Sequence, residues 1–230
     1  MDRKQELAKS FNSLSERISA SCALAKRDKS EITLIAVTKN FPASDIEILH
    51  ELGIEHVGEN KDQEASAKHI QVKAELTWHF VGQLQRNKVK SVVKYCQYIH
   101  SVDRLSLAKE ISKQAELNSR NLKIFIQVDL DESDINRGGV GRADLAALAK
   151  EISLLPAIQI EGLMAVAPLG VDPSQAFSKL REIQADFLKD FPEAVNLSIG
   201  MSEDFEIAIA HGATHLRIGS LLLGVRPILR

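Results

Sequence analysis

Eight short apolar runs, each followed by a longer segment of helical pattern, constrain this chain more than any other feature of its sequence. The runs are TLIAVTK (33–39), IEHVGEN (54–60), WHFVG (78–82), YIHSV (98–102), KIFIQVDL (123–130), IEGLMAV (160–166), NLSIG (196–200) and HLRIG (215–219). A strand with one wet face alternates apolar and polar residues. These runs are apolar on successive positions, so they predict strands covered on both faces, as in a parallel sheet. Parallel neighbours need a crossover of about a dozen residues or more, and the intervening segments supply it. SDIEILHELG opens on Ser44 as a helix cap and stops at Gly53, while NKDQEASAKHI sets Asn60 three residues before Gln63, a capping-box-like start. SEDFEIAIAHG begins on Ser202, carries two acids in its first turn and closes at Gly212. DRLSLAKEISKQAELNS, RADLAALAKEISLL and PSQAFSKLREIQADFLKDF space their apolar residues by three and four. The first 28 residues predict one more helix ahead of the first strand.

Eight strand–helix units predict an α/β fold, a (β/α)8 TIM barrel with an extra N-terminal helix, forming a single domain over residues 1–230. A doubly wound open sheet is the competing architecture. The length of 230 residues is close to the ~250 typical of such barrels. A net charge of −2 gives no basic footprint for nucleic acid, and two cysteines, Cys22 and Cys96, make no disulfide framework. The N-terminal stretch has no apolar core of signal-peptide length, and no run approaches the roughly 20 apolar residues of a membrane span. A cytoplasmic protein without a membrane or nucleic-acid partner is expected.

Barrels of this kind place their chemistry at the carboxyl ends of the strands. Here those ends carry Lys39, Glu59-Asn60, Gly82, Asp103, Asp129, Val166-Ala167, Gly200-Met201-Ser202 and Gly219-Ser220. A free lysine amine titrates near ~10.4, and partial desolvation at a mouth favours its neutral, nucleophilic form, which suits an imine with an aldehyde. The plainer reading is a surface lysine extended towards water. Gly200 and Ser202, then Gly219 and Ser220, make two glycine-serine corners after adjacent strands, a common barrel site for phosphate. Arg217, two positions before Gly219, shares the interior face of its strand and needs an acceptor, from an internal salt bridge or from a ligand. Asn60 reads as a helix cap, Met164 as packing that could lie beneath a flat ring, and His79 and His100 as core histidines. No metal-ligand spacing, G-x-G-x-x-G or Walker loop is present, and QLQRNKVKSVVK reads as a solvated basic helix face.

In order along the chain, AVTK, GEN, WHFVGQLQRNK, IHSVDR, EGLMAV and LSIGMSEDFEIAIAHGATHLRIGSLLLG resemble the pyridoxal phosphate homeostasis protein family. The resemblance implies a barrel related to the N-terminal domain of alanine racemase. It implies that Lys39 carries pyridoxal 5'-phosphate covalently, as an internal aldimine. It further implies that Ser202, Gly219 and Ser220 hold the phosphate, that Arg217 faces the pyridine nitrogen, and that Asn60 lies beside the cofactor. The family often has serine where this chain has Thr38. The loop DESDINRGGVG (131–141) is longer than expected and carries Arg137 where lysine is usual.

The resemblance and the residues together predict a monomeric carrier of pyridoxal phosphate, contributing to vitamin B6 and amino-acid homeostasis without turnover and passing cofactor to apoenzymes. The alternatives are a pyridoxal-phosphate-dependent racemase or decarboxylase, and a class I aldolase using Lys39 on a sugar phosphate. Racemases sharing the barrel take their opposing tyrosine from a second domain. Tyr95 and Tyr98, the only tyrosines, are expected at the wrong end of the barrel, and the sequence ends at Arg230.

Overall fold

Each apolar run forms a strand. In the computed structural model, which describes residues 2–131 and 138–224, these are β1 (Thr33–Val37), β2 (His56–Glu59), β3 (Thr77–Phe80), β4 (Tyr98–Val102), β5 (Leu122–Gln127), β6 (Ile158–Met164), β7 (Asn196–Ser198) and β8 (His215–Ile218). They pair in sequence order, all parallel, and β8 closes on β1 with Ile35 opposite Arg217. The chain is therefore a (β/α)8 barrel, not an open sheet. Arg137 and most of the 131–141 loop lie outside the described residues, as does Arg230.

The helices are α1 (Arg3–Leu24), α2 (Ala43–Glu51), α3 (Asp62–Gln71), α4 (Val89–Val92), α5 (Leu105–Leu117), α6 (Arg142–Ser153), α7 (Pro173–Phe187), α8 (Phe205–Ala210) and α9 (Ser220–Leu223). The extra helix α1 starts on a capping box between Asp2 and Gln5 and packs against α8, α9 and α2. It thereby covers the seam where β8 meets β1. Arg3 fastens that seam: its guanidinium pairs with Asp45 on α2 at 2.6 Å and donates to the Leu223 carbonyl on α9 at 3.0 Å.

Three predicted helix starts are corrected. Ser44 lies inside α2, whose cap position is Pro42, with φ already at −71°. Asn60 does not cap α3: the cap position is Lys61, in extended conformation and without a side-chain bond. Ser202 precedes α8, which starts after Asp204, because the Asp204 carboxylate accepts the Met201 amide at 2.6 Å and closes the turn between them. QLQRNKVKSVVK is also less helical than its pattern, a 3-10 turn at Arg86–Lys88 followed by the single turn of α4.

Strand alternation separates two interiors. Ala36, Val57, Trp78, Ile99, Leu163, Leu197 and Leu216 face the helices and join one contiguous apolar core with residues such as Leu49, Ile111 and Phe177. Alternate positions fill the bore, including Ile35, Phe125 and Met164. Buried polar side chains join them there, among them His79, His100, Ser198, His215 and Arg217.

Candidate functional site

The alternation that sends Thr38 and Glu59 outwards turns Lys39 and Asn60 towards the mouth of the bore. On the outer side, Lys68 of α3 reaches up between the strand ends. Its Nζ lies 2.7 Å from the Thr38 carbonyl oxygen, 2.7 Å from Glu59 Oε1 and 2.6 Å from Glu64 Oε1. The Thr38 hydroxyl also donates to Glu59 Oε1, at 2.6 Å, and the Asn40 amide donates to Glu64. Residues on both sides of Lys39 are thus tied to one buried ion cluster. Burial pushes the Glu59 carboxyl above its usual range, and the Lys68 ammonium and Thr38 hydroxyl offset part of that rise.

The mouth holds a cavity of about 710 Å³. Lys39, Asn60, Met164, Ser202, Arg217, Gly219 and Ser220 all line it, so the seven residues assigned to the cofactor from the sequence meet in one place, whereas Gly200, Asp103 and Asp129 do not line it. Lys39 and Ser202 are half-buried, Met164 is buried, and Ser220 is exposed at the rim. Asn60 Oδ1 is buried there without a hydrogen-bond partner among the described residues, an arrangement that costs free energy until something donates to it. Gly82 fixes the position of Asn60. A Cβ at residue 82 would come within 2.4 Å of the Asn60 carbonyl oxygen, so a larger side chain would displace it.

The two glycine-serine corners form as loops against short helices. Gly200 has φ +91°, and a Cβ there would meet Ala208 Cβ at 2.7 Å, so this turn requires glycine. Ser202 Oγ accepts the Leu221 amide at 3.4 Å, which links the two corners directly. With α8 only six residues long and α9 four, the helix dipole contributes little, and an anion here would rely on local amides and hydroxyls.

Arg217 finds no carboxylate partner within salt-bridge distance among the described residues. Its Nη1 donates to the Ser198 carbonyl at 2.5 Å and to Ser198 Oγ at 2.7 Å, and its Nη2 donates to the Ala165 carbonyl at 3.0 Å. Burial pushes its pKa down to about 10, with Asp204 acting in the opposite sense, so it remains a cation at neutral pH. Both core histidines have both ring nitrogens hydrogen-bonded, as read from the sequence. Tyr95 is buried against Asp62, and Tyr98 borders a separate 470 Å³ cleft at the foot of the barrel. Among the described residues no cluster could hold a metal ion, and no helix is long and apolar enough to cross a membrane.

A model of the family described as "Alanine racemase, N-terminal domain" matches residues 12–227. The pyridoxal phosphate homeostasis protein of Mycobacterium leprae is 37% identical over 242 residues, covering 97% of this chain and 94% of that protein. The chain belongs to the pyridoxal phosphate homeostasis protein family. The family member of that name from Escherichia coli is 34% identical, with 96% and 97% covered. Among solved structures, PipY of Synechococcus elongatus with PLP bound is similar to this family member at a TM-score of 0.81 and 37% identity, covering 91% of this chain and 99% of that one. Alanine racemase from Corynebacterium glutamicum shares the fold at a TM-score of 0.75 and 13% identity, with 62% of its length covered.

Sequence reasoning missed the supports of the site. Ser198 and Lys68 were not singled out, and Glu59 and Gly82 were named only as strand ends, without a role. The signal available for Ser198 and Lys68 was polarity at a position where the strand or helix pattern demands burial.

Proposed function

We propose that this chain binds pyridoxal 5'-phosphate in the mouth of its barrel, attached covalently through Lys39, and serves vitamin B6 homeostasis in the cytoplasm rather than turning over amino acids. The observation that carries this reading is the convergence of Lys39, Arg217, both glycine-serine corners and the unpartnered Asn60 Oδ1 on one cavity. The donor set suits the group. Lys39 offers an amine for an aldehyde, Ser202, Gly219 and Ser220 offer hydroxyls and amides for a phosphate, and Asn60 offers an acceptor for a hydroxyl. When bound, the cofactor would supply an aldehyde carbon able to condense with amines. The names of the M. leprae and E. coli relatives, and the PLP bound to PipY, support the same reading.

The absence of turnover is supported by the tyrosines. Racemisation needs an acid or base on each face of the α-carbon, within hydrogen-bond reach. Lys39 could serve one face, but neither Tyr95 nor Tyr98 lines the cavity. Arg217 argues the same way: a guanidinium, which only donates, disfavours protonation of a pyridine nitrogen beside it and leaves a weaker electron sink.

Borohydride reduction of cofactor-treated protein tests the attachment and should fix the cofactor's mass on the peptide containing Lys39. Label on a different lysine overturns the assignment. α-Deuterium exchange of L- and D-alanine by the loaded protein tests turnover. Only background is expected, and exchange of order 1 s⁻¹ that Lys39→Ala abolishes would establish a racemase instead.

A further inference from the structure

A continuous hydrogen-bonded chain runs down the bore from Arg217. Arg217 Nη1 lies 2.7 Å from Ser198 Oγ, which lies 2.7 Å from His100 Nδ1. His100 Nε2 lies 2.8 Å from His79 Nδ1, and His79 Nε2 lies 2.9 Å from His56 Nδ1. His56 begins β2 and is half-buried beside a cleft at the foot of the barrel. Five strands, β8, β7, β4, β3 and β2, thus contribute one residue each to a path linking the mouth to the opposite end.

We propose that this chain positions Arg217 with a single donor direction, from the guanidinium to the foot, so that Ser198 and His100 are positioning residues for the pyridine-facing arginine. The link to the pyridine ring rests on the function proposed above; the direction of the chain does not. Arginine can only donate, so Ser198 Oγ accepts from it. The hydroxyl has one hydrogen, and its other partner among the described residues is His100 Nδ1, so the hydroxyl donates there. A neutral imidazole that accepts at Nδ1 carries its hydrogen on Nε2. His100 therefore donates to His79, and His79 in turn donates to His56. The reverse order would leave the hydroxyl hydrogen of fully buried Ser198 without an acceptor. Burial keeps His79 and His100 well below the usual histidine range, in agreement with neutral rings. Stacking of His100 on Phe125 and of His79 on Tyr98, both with centroids 4.5 Å apart, fixes the planes of the rings. The donor leaving Ser198 also makes its oxygen a better acceptor, which favours this position of the arginine.

Nitrogen-15 NMR of the full chain, labelled at histidine and arginine and free of cofactor, tests the direction. Nε2–H tautomers are expected for His79 and His100, together with slowly exchanging Nη resonances from Arg217. An Nδ1–H tautomer at either ring overturns the proposal. Ser198→Ala should lose the Arg217 Nη resonances and Ser198→Thr should restore them, while His100→Gln serves as the second lesion if Ser198→Ala folds poorly. Wild-type Nη resonances in both Ser198→Ala and His100→Gln overturn the positioning role. In cofactor-loaded protein the same two lesions should shift the absorption band of the bound cofactor, with Ser198→Thr at the wild-type position. An unshifted band in both overturns the link to the cofactor. Failure of wild-type protein to take up pyridoxal phosphate would instead refute the proposed function, and the NMR result would still decide the direction.

Discussion

The ammonium of Lys68 donates to the carbonyl oxygen of Thr38 at 2.7 Å, so the peptide leading into Lys39 is held by a charge that is itself buried and paired. Removing that charge strands the Glu59 carboxylate, which is fully buried. Lys68→Met should cost about 3–5 kcal/mol of stability. Glu59→Gln in the same chain should recover part of the loss, because the stranded group is then neutral. Urea unfolding of the two single variants and the double variant measures the coupling, and additive effects would mean that the ion cluster does not act as a unit.

The two corners make a prediction about the phosphate. A hydrogen bond to a charged group is worth about 1.5–3 kcal/mol, so Ser202→Ala and Ser220→Ala should each weaken cofactor binding by roughly ten-fold or more. Fluorescence titration provides the affinity. Because Ser202 Oγ also accepts the Leu221 amide at 3.4 Å, its loss should loosen the second corner and lower the affinity for inorganic phosphate as well.

Asn60 should separate binding from stability. Its Oδ1 has no partner among the described residues, so Asn60→Ala removes an unsatisfied acceptor. The cofactor-free variant is expected to unfold at or above the wild-type temperature while binding pyridoxal phosphate more weakly. A large loss of thermal stability in the variant would show instead that Asn60 supports the fold.

Stability should fall on mild acidification. Burial lowers the pKa of His56, His79, His100 and His215, the last to about 3. The unfolded chain therefore takes up protons below about pH 6.5 that the folded chain refuses. The stability these groups contribute is complete above about pH 6.5 and is lost as pH drops towards their folded values, by up to ~1.4 kcal/mol per pH unit for each histidine. Glu59 and Asp204, whose pKa values are raised by burial, act in the opposite sense, but they are two against five, because burial lowers His69 as well. Denaturation between about pH 8 and about pH 5 should show a net proton uptake on unfolding. A flat profile would refute neutral burial of the histidines.

The barrel was legible because runs apolar on both faces, separated by crossovers, leave few other ways to cover a sheet. The mouth residues were legible because the ends of parallel strands converge whatever lies between them. Helix starts were less so: Ser44, Asn60 and Ser202 all have capping chemistry, yet Pro42, Lys61 and Asp204 hold those positions. Which residue caps depends on where the preceding strand releases the chain, and local sequence does not encode that. The chain of histidines was hidden for a related reason. His56, His79 and His100 are more than 20 residues apart in sequence, and only the barrel stagger brings their rings into line.

Arg3 joins α1 to α2 and to the last carbonyl of α9, the helix that begins with Ser220. Helix α1 is thus a latch on one wall of the barrel mouth, far away in sequence. Releasing this latch, as Arg3→Ala would, is expected to act as a change in the mouth itself, so that affinity for the pyridoxal phosphate proposed to bind there falls although no residue of the cavity has been altered.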